Sequence, residues 1–271
     1  MMLIDWGTGV LVFIFGLMFG SFLNVCVYRL PRNLSIVSPG SFCPHCRKEI
    51  AWFDNIPLLS YLVLLGRCRH CRKKITPRYF LVELLTGLLL LLLYLHFGIS
   101  AAFFAFSLFV LGLILVSFID WEHYVISGPV VYPGMPLGLI FNFIFPEMMA
   151  PSASRLFALR ESFVGLLAGA GVIFLIRWIA SKLLKKEAMG EGDILLLGMI
   201  GAFLGWRLIL ITLFAASIIG SVVGITLIAL GVKKRHDPIP FGPFLSLGAV
   251  IALFYGNTLL DYYMRLVYPD I

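Results

Sequence analysis

The chain has 271 residues, 61% of them hydrophobic and only 13% charged, with a formal net charge of +7 and a mean hydropathy of +1.00. Soluble globular domains are apolar over about half their residues, so a water-soluble domain is excluded and a polytopic membrane protein is expected. The positive balance needs no nucleic acid as partner, because a basic face against anionic membrane lipid accounts for it.

A membrane-crossing helix takes about 20 apolar residues, somewhat fewer where neighbours shelter it. Runs of this kind lie near 7–28, 79–98, 101–119, 129–146, 159–181, 193–205, 208–231 and 241–262, the sixth being short. They predict an all-α polytopic membrane protein of about eight transmembrane helices. The first run makes a poor secretory signal: no basic residue precedes it, and Arg29, Pro31 and Arg32 stand where a small-residue cleavage site would follow. It is expected to stay as a helix. The domain reading is therefore a first transmembrane helix over 1–28, a polar insertion over 29–78, and a membrane domain over 79–271 with about seven further helices. No internal repeat and no low-complexity linker is expected.

Basic residues set the orientation, since cytoplasmic loops collect Lys and Arg. Arg29, Arg32, Arg47, Lys48, Arg67, Arg69, Arg72, Lys73, Lys74 and Arg78 lie in or beside the insertion, Lys182, Lys185 and Lys186 follow run five, and Lys233, Lys234 and Arg235 follow run seven. With eight spans all of these fall on one side, which places the insertion in the cytoplasm and both termini outside. Arg155, Arg160, Arg177, Arg207 and Arg265 fall within runs or on the other side.

Inside the insertion, "CPHC" (Cys43, Cys46) and "CRHC" (Cys68, Cys71) form two C-x-x-C knuckles. Four thiolates so paired match a tetrahedral structural zinc site, although the spacer between the knuckles is slightly longer than usual. Two disulfides are the alternative, and a reducing cytoplasm argues against them. A closed four-sulfur site leaves no open position for substrate, so its expected role is to fold a loop too small to hold itself together. His45 and His70 are expected to be exposed bystanders, and Cys26, within the first run, a small packing residue.

The carboxylates at the run ends carry the chemistry. Asp120, in "SFIDWEHYV", closes run three, and Asp193, in "MGEGDILLLGMIG", opens run six on the same side. Helix packing that brought them together would make a dyad sharing one proton. One carboxylate then takes a proton from water while the other donates to the carbonyl oxygen of a scissile peptide. Gly190 and Gly192 permit close backbone approach. The plain alternative is that an aspartate near a helix N-terminus is favoured by the macrodipole without any chemistry. Glu122, Glu187 and Glu191 are solvated charges or rival catalysts. Glu83, about one turn into run two, is an ionisable group in an apolar helix and so a functional candidate, with a structural partner among nearby arginines as the alternative.

Several motifs together resemble the type IV prepilin peptidases, membrane aspartyl proteases also called prepilin leader peptidases and N-methyltransferases. They are "GSFLNVCVYRLPR" (20–32), "CPHC" (43–46), "DNIPLLSYLVLLGRCRHC" (54–71), "VELLTG" (82–87), "GEGD" (190–193) and "FGPFLSLGA" (241–249). The resemblance implies that Asp120 and Asp193 are the catalytic pair. It also implies that the enzyme sits in the bacterial inner membrane and cuts a short basic leader from prepilins and pseudopilins on the cytoplasmic side. Members with the cysteine-bearing loop then methylate the new N-terminal amine using S-adenosylmethionine, and Asn24, Arg29 and Glu83 are the expected methyl-donor region. The chain departs from the family pattern at Ser127 and Gly128, where Pro-Asp is common, at Leu195, where lysine is usual, and at Phe80, often proline. An ion-coupled transporter and an inactive pilin-binding scaffold are the rival readings.

Overall fold

The computed structural model describes residues 5–150, 152–184, 190–234 and 237–267. Among these the secondary structure is helical, with two isolated β-bridges, Phe42 to Glu49 and Arg67 to Lys74. The helices are α1 (Trp6–Arg29), α2 (Leu59–Val63), α3 (Arg78–Phe97), α4 (Ala101–His123), α5 (Gly128–Ile144), α6 (Arg155–Leu184), α7 (Glu191–Leu204), α8 (Trp206–Ala229) and α9 (Gly242–Val267). Each of the eight apolar runs is a helix, and α2 is a short extra turn within the insertion. The largest boundary differences are at α6, which starts before run five, and at α4 and α9, which continue past runs three and eight. The apolar runs stop short of polar residues such as Arg155 at the start of α6 and Arg265 near the end of α9, whereas the backbone hydrogen bonding does not.

Six of these helices, α1, α3, α4, α6, α8 and α9, are long and apolar enough to cross a membrane. The α5 helix is apolar but shorter, and α7, with 14 residues, rises only about 21 Å. Large apolar side chains stand exposed along the outer helices, among them Phe15, Phe104, Phe174 and Phe214, as a lipid-facing surface requires. Lys185, Lys186, Glu187 and Arg235 lie outside the described residues.

The chain forms two compact units, Met1–Leu115 and Val116–Ile271, divided within α4. In the first, α1 packs along α3. Asp5 caps α1, accepting N–H groups of Gly7 at 3.0 Å and Thr8 at 3.2 Å, and the Tyr94 hydroxyl of α3 donates to the Asp5 carbonyl at 3.1 Å. The two helices approach through glycine: a Cβ on Gly16 would lie 2.7 Å from Gly87 Cα, and one on Gly20 would lie 2.6 Å from Glu83 Cα. This small-xxx-small spacing is how helices pack closely where lipid removes the hydrophobic drive between them.

In the second unit α7 is the centre, with α5 and α6 against it. Every residue from Leu196 to Leu204 is buried. Gly165 and Gly169 of α6 lie against the Gly201 and Leu197 carbonyls, so no side chain fits between the two helices. A helix that ends inside the protein must satisfy its last carbonyls there. Asn142 Nδ2 of α5 donates to Ala202 O at 2.9 Å and Phe203 O at 3.2 Å, and the Ser162 hydroxyl of α6 donates to Ala202 O. Gly205, at φ 76°, then turns the chain directly into α8.

Replacing Asn142 by Leu is expected to destabilise the protein by about 1–3 kcal/mol, because it strands buried carbonyls. A lower unfolding temperature in detergent, with Asn142→Ser falling between the two, checks this.

Candidate functional site

Asp120 sits one turn from the end of α4, where Tyr124 N–H bonds the Asp120 carbonyl at 2.8 Å and the chain leaves the helix with Tyr124 at φ 55°. Asp193 lies in the first turn of α7, whose N-cap is Gly190. Both carboxylates are buried, at 5% and 7% exposure, and they are close enough for their charges to interact. The Gly190 N–H is directed at the Asp193 carboxylate. Asp120 Oδ2 accepts the Gly242 N–H of α9 at 3.0 Å. A Cβ on Gly242 would lie 2.7 Å from that oxygen, and one on Gly192 would lie 2.5 Å from Ile126 Cβ. The glycines beside the aspartates therefore hold α7 and α9 against Asp120 and Ile126. Gly242 opens "GPFLSLGA" but was not read as part of the site, because nothing in its local sequence says which carboxylate its N–H meets.

The flanking acids separate. Glu191 is exposed and pairs with Arg177 of α6 at 3.2 Å, and Glu122 is exposed. Neither is buried as the aspartates are. Ser127 and Gly128, the departures from the family pattern, form the start of α5, with Ser127 at its N-cap. Ile126 just before them is the residue packed between Gly192 and Gly242.

In the first unit the four cysteines converge: the Sγ atoms of Cys43, Cys46, Cys68 and Cys71 all lie within 4.8 Å of one another. Cys43 and Cys71 Sγ are 3.9 Å apart, near the edge of about 3.8 Å that Zn–S bonds of about 2.3 Å give a tetrahedron. None is disulfide-bonded, and the donor set is that of a site for a soft divalent metal. His45 and His70 are exposed and outside the cluster.

The two knuckles are copies of one another, which corrects the expectation of no internal repeat. In "CPHCRKEI" and "CRHCRKKI" each backbone bond of the first recurs in the second. Cys43 N to Lys48 O (2.9 Å) matches Cys68 N to Lys73 O (2.9 Å), and Arg47 N to Cys43 O (2.8 Å) matches Arg72 N to Cys68 O (3.0 Å). Arg47 and Arg72 both turn through positive φ, at 57° and 58°. The repeat is too short to be read as a domain-level period. Their electrostatics differ: N–H groups of Cys71 and His70 hold the Cys68 thiol down at about 7, whereas burial pushes Cys43 up to about 11. Asp54 binds Arg69 through two contacts of 2.6 Å, which hold its carboxyl below the usual range and tie the second knuckle to the turn at Trp52–Asn55.

The three residues expected to form the methyl-donor region line one cavity, with different hydrogen-bond partners. Arg29 is buried, and its guanidinium donates to the carbonyls of Ser35 (2.9 Å), Pro39 (2.7 Å) and Gly40 (3.0 Å), so it staples the start of the insertion to α1. Asn24, Arg29 and Glu83 line a cavity of about 180 Å³ that the knuckles, α1 and α3 enclose, with Tyr28, Phe42, Tyr61 and Tyr79 in its walls. Glu83 Oε2 accepts the Leu58 N–H at 2.8 Å. The sequence expectation of an arginine partner for it is not met among the described ion pairs.

Against known proteins, residues 14–97 match the bacterial peptidase A24 N-terminal domain, and residues 107–225 match the type IV leader peptidase family. Prepilin leader peptidase/N-methyltransferases of Aeromonas hydrophila and Stutzerimonas stutzeri are 35% and 33% identical, covering 96% and 93% of this chain and 95% and 92% of their own. The protein of that name in Pseudomonas aeruginosa is 35% identical over 92% of this chain and 91% of its own. No solved structure matches. The chain belongs to the type IV leader peptidase family, and is an enzyme of that class.

Cobalt(II) titration of the purified protein is expected to give one bound ion with thiolate charge-transfer and tetrahedral ligand-field bands. Cys43→Ser is expected to weaken binding at least tenfold and to distort those bands.

Proposed function

We propose that this enzyme removes the leader peptide from type IV prepilins and pseudopilins by an aspartyl mechanism, and then methylates the new N-terminus. The observation that carries the cleavage reading is the buried, electrostatically coupled Asp120 and Asp193 pair. Two carboxylates so close hold one proton between them. The ionised member draws a proton from water as it attacks, and the protonated member donates to the carbonyl oxygen of the scissile bond. The Gly242 N–H on Asp120 and the Gly190 N–H directed at Asp193 orient the two oxygen pairs. Their place at the ends of α4 and α7 suits a peptide bond just below the membrane edge, between an apolar stem in lipid and a basic leader in water.

In this reading all eight apolar helices cross the bacterial inner membrane. The α7 helix is short because its end is capped inside the protein, the insertion over 29–78 and both aspartates face the cytoplasm, and the termini face outside. The lysines and arginines of the insertion support that orientation. The four cysteines hold Zn²⁺, which supplies folding energy to the loop rather than chemistry.

The methylation reading rests on the family names of the relatives and on the cavity beside the knuckles. S-adenosylmethionine is its cosubstrate, and the aromatic walls of Tyr28, Phe42, Tyr61 and Tyr79 suit a flat-ringed molecule.

Mass spectrometry of a purified prepilin incubated with the enzyme and S-adenosylmethionine is expected to show a lost leader and one added methyl group. Asp193→Asn is expected to lower cleavage about 10²–10⁴-fold while the fold persists, and substantial cleavage by the folded variant would refute the assignment. Cys68→Ser is expected to depress methylation more than cleavage, since the cysteines and the aspartates belong to different compact units.

A further inference from the structure

Among the described residues, peptide hydrolysis leaves one buried carboxylate unused. Glu83 is 7% exposed and occupies the cavity wall beside Asn24. Gly20 makes this possible, because its missing Cβ lets α1 close onto Glu83 Cα, which sets Ser21 and Asn24 of the same helix against the carboxylate side of α3. The Ser21 hydroxyl and the Leu58 N–H both hydrogen-bond Glu83. Leu58 adopts φ 59°, a conformation disfavoured for a branched side chain, so the insertion bends to deliver its N–H there.

Asn24 is 1% exposed. Its Nδ2 is committed to the Tyr79 carbonyl at 3.0 Å, which fixes the amide and leaves Oδ1 buried with no hydrogen-bond partner. A buried acceptor with no donor costs free energy that a bound donor would recover. Asn24 and Glu83 line the α1 and α3 end of the cavity, whose walls also carry Arg29, Lys48, Arg69, Lys73 and Lys74, yet no described basic side chain forms an ion pair with Glu83. The complementary ligand group is cationic and rich in N–H donors: an ammonium.

We propose that this end of the cavity seats the N-terminal ammonium of the cleaved substrate, held by Asn24 Oδ1 and Glu83, and that Glu83 is the base that deprotonates it for methylation. This rests on the methylation reading above. An α-amine titrates at about 7.7–8.0, so at neutral pH most of it is protonated and cannot attack. An N–H bond breaks, its proton goes to a Glu83 oxygen, and the electron pair stays on nitrogen. That pair forms the N–C bond to the methyl of the sulfonium donor. The C–S bond breaks with its electrons returning to sulfur, leaving a neutral thioether and a methylated ammonium. Glu83 then releases its proton to water.

The rest of the substrate has a path to this position. A second cavity, of about 570 Å³, shares Ser21, Val25 and Arg29 with the first and runs along Ile14, Met18 and Phe22, which are exposed on the outer face of α1. An apolar stem lying on that face would present its terminal amine at the shared wall.

The test uses the zinc-loaded full chain in detergent, a synthetic apolar peptide with a free N-terminal amine, and radiolabelled S-adenosylmethionine. Gln at position 83 keeps an acceptor for the Leu58 N–H and removes the base. Glu83→Gln is expected to methylate about tenfold more slowly at pH 7, where only about a tenth of the free amine is neutral, to recover most of that loss by about pH 9, and to bind the donor normally in equilibrium dialysis. Asn24→Leu is expected to raise the peptide concentration for half-maximal rate about tenfold and to keep the wild-type pH profile. Wild-type methylation by Glu83→Gln, or loss of donor binding in parallel with activity, overturns the proposal alone. A wild-type enzyme that methylates the peptide at no pH overturns the methylation reading and the proposal together. If Glu83→Gln does not fold, an unchanged peptide requirement in Asn24→Leu overturns the seat.

Discussion

The second unit depends on one buried helix that ends inside the protein. The α7 helix is surrounded by apolar side chains from Leu196 onward, so neither its terminal carbonyls nor its opening carboxylate can rely on water. Asn142 and Ser162 meet the carbonyls at one end, and Asp120 with the Gly190 and Gly242 N–H groups surrounds the other. Because both ends are satisfied by protein, the helix keeps a fixed height and rotation. That fixed height places Asp193 at the depth of Asp120. The glycines of α6 contribute by letting α7 lie close enough that no lipid or side chain intrudes.

The first unit solves a related problem with the same means. Glycines at 16, 20 and 87 bring α1 and α3 together, and the close approach buries Glu83 and Asn24 beneath the polar insertion. The insertion has almost no apolar core of its own. Its shape comes from two copied sulfur turns, the Arg29 staple to the Ser35–Gly40 carbonyls, the Asp54 and Arg69 pair, and the Leu58 N–H on Glu83. A metal held by the four cysteines would join the two turns through a single centre. Each unit thus carries its buried carboxylates where glycine lets helices meet, and the two carboxylate sites have different neighbours: a second acid in one, an amide and backbone donors in the other.

The roles of individual residues show where reading along the chain stops. The cysteines were legible because C-x-x-C spacing is a local property of one turn, and the histidines inside the knuckles fell outside the cluster as expected. Asp120 and Asp193 were legible as helix-end acids. Gly242, Ile126 and Asn142 were not, because each acts on a residue far away in sequence. Asn24, Arg29 and Glu83 all line one cavity beside the insertion, yet which of them is committed to loop carbonyls, as Arg29 is, is not written in the local sequence.

Composition and spacing alone determined the helical membrane class, the position of the polar insertion, the metal-type cysteine set and the acids worth considering. These follow from local chemistry: the length of an apolar run, the reach of a two-residue spacer, the cost of a charge among apolar neighbours. Only the tertiary structure decided which faces turn inward. Helices that are apolar on every side, as these are, carry no periodic mark of their buried face, so the meeting of positions 120, 193 and 242, or of 24, 58 and 83, is set by glycine contacts and buried hydrogen bonds that form only when the helices pack.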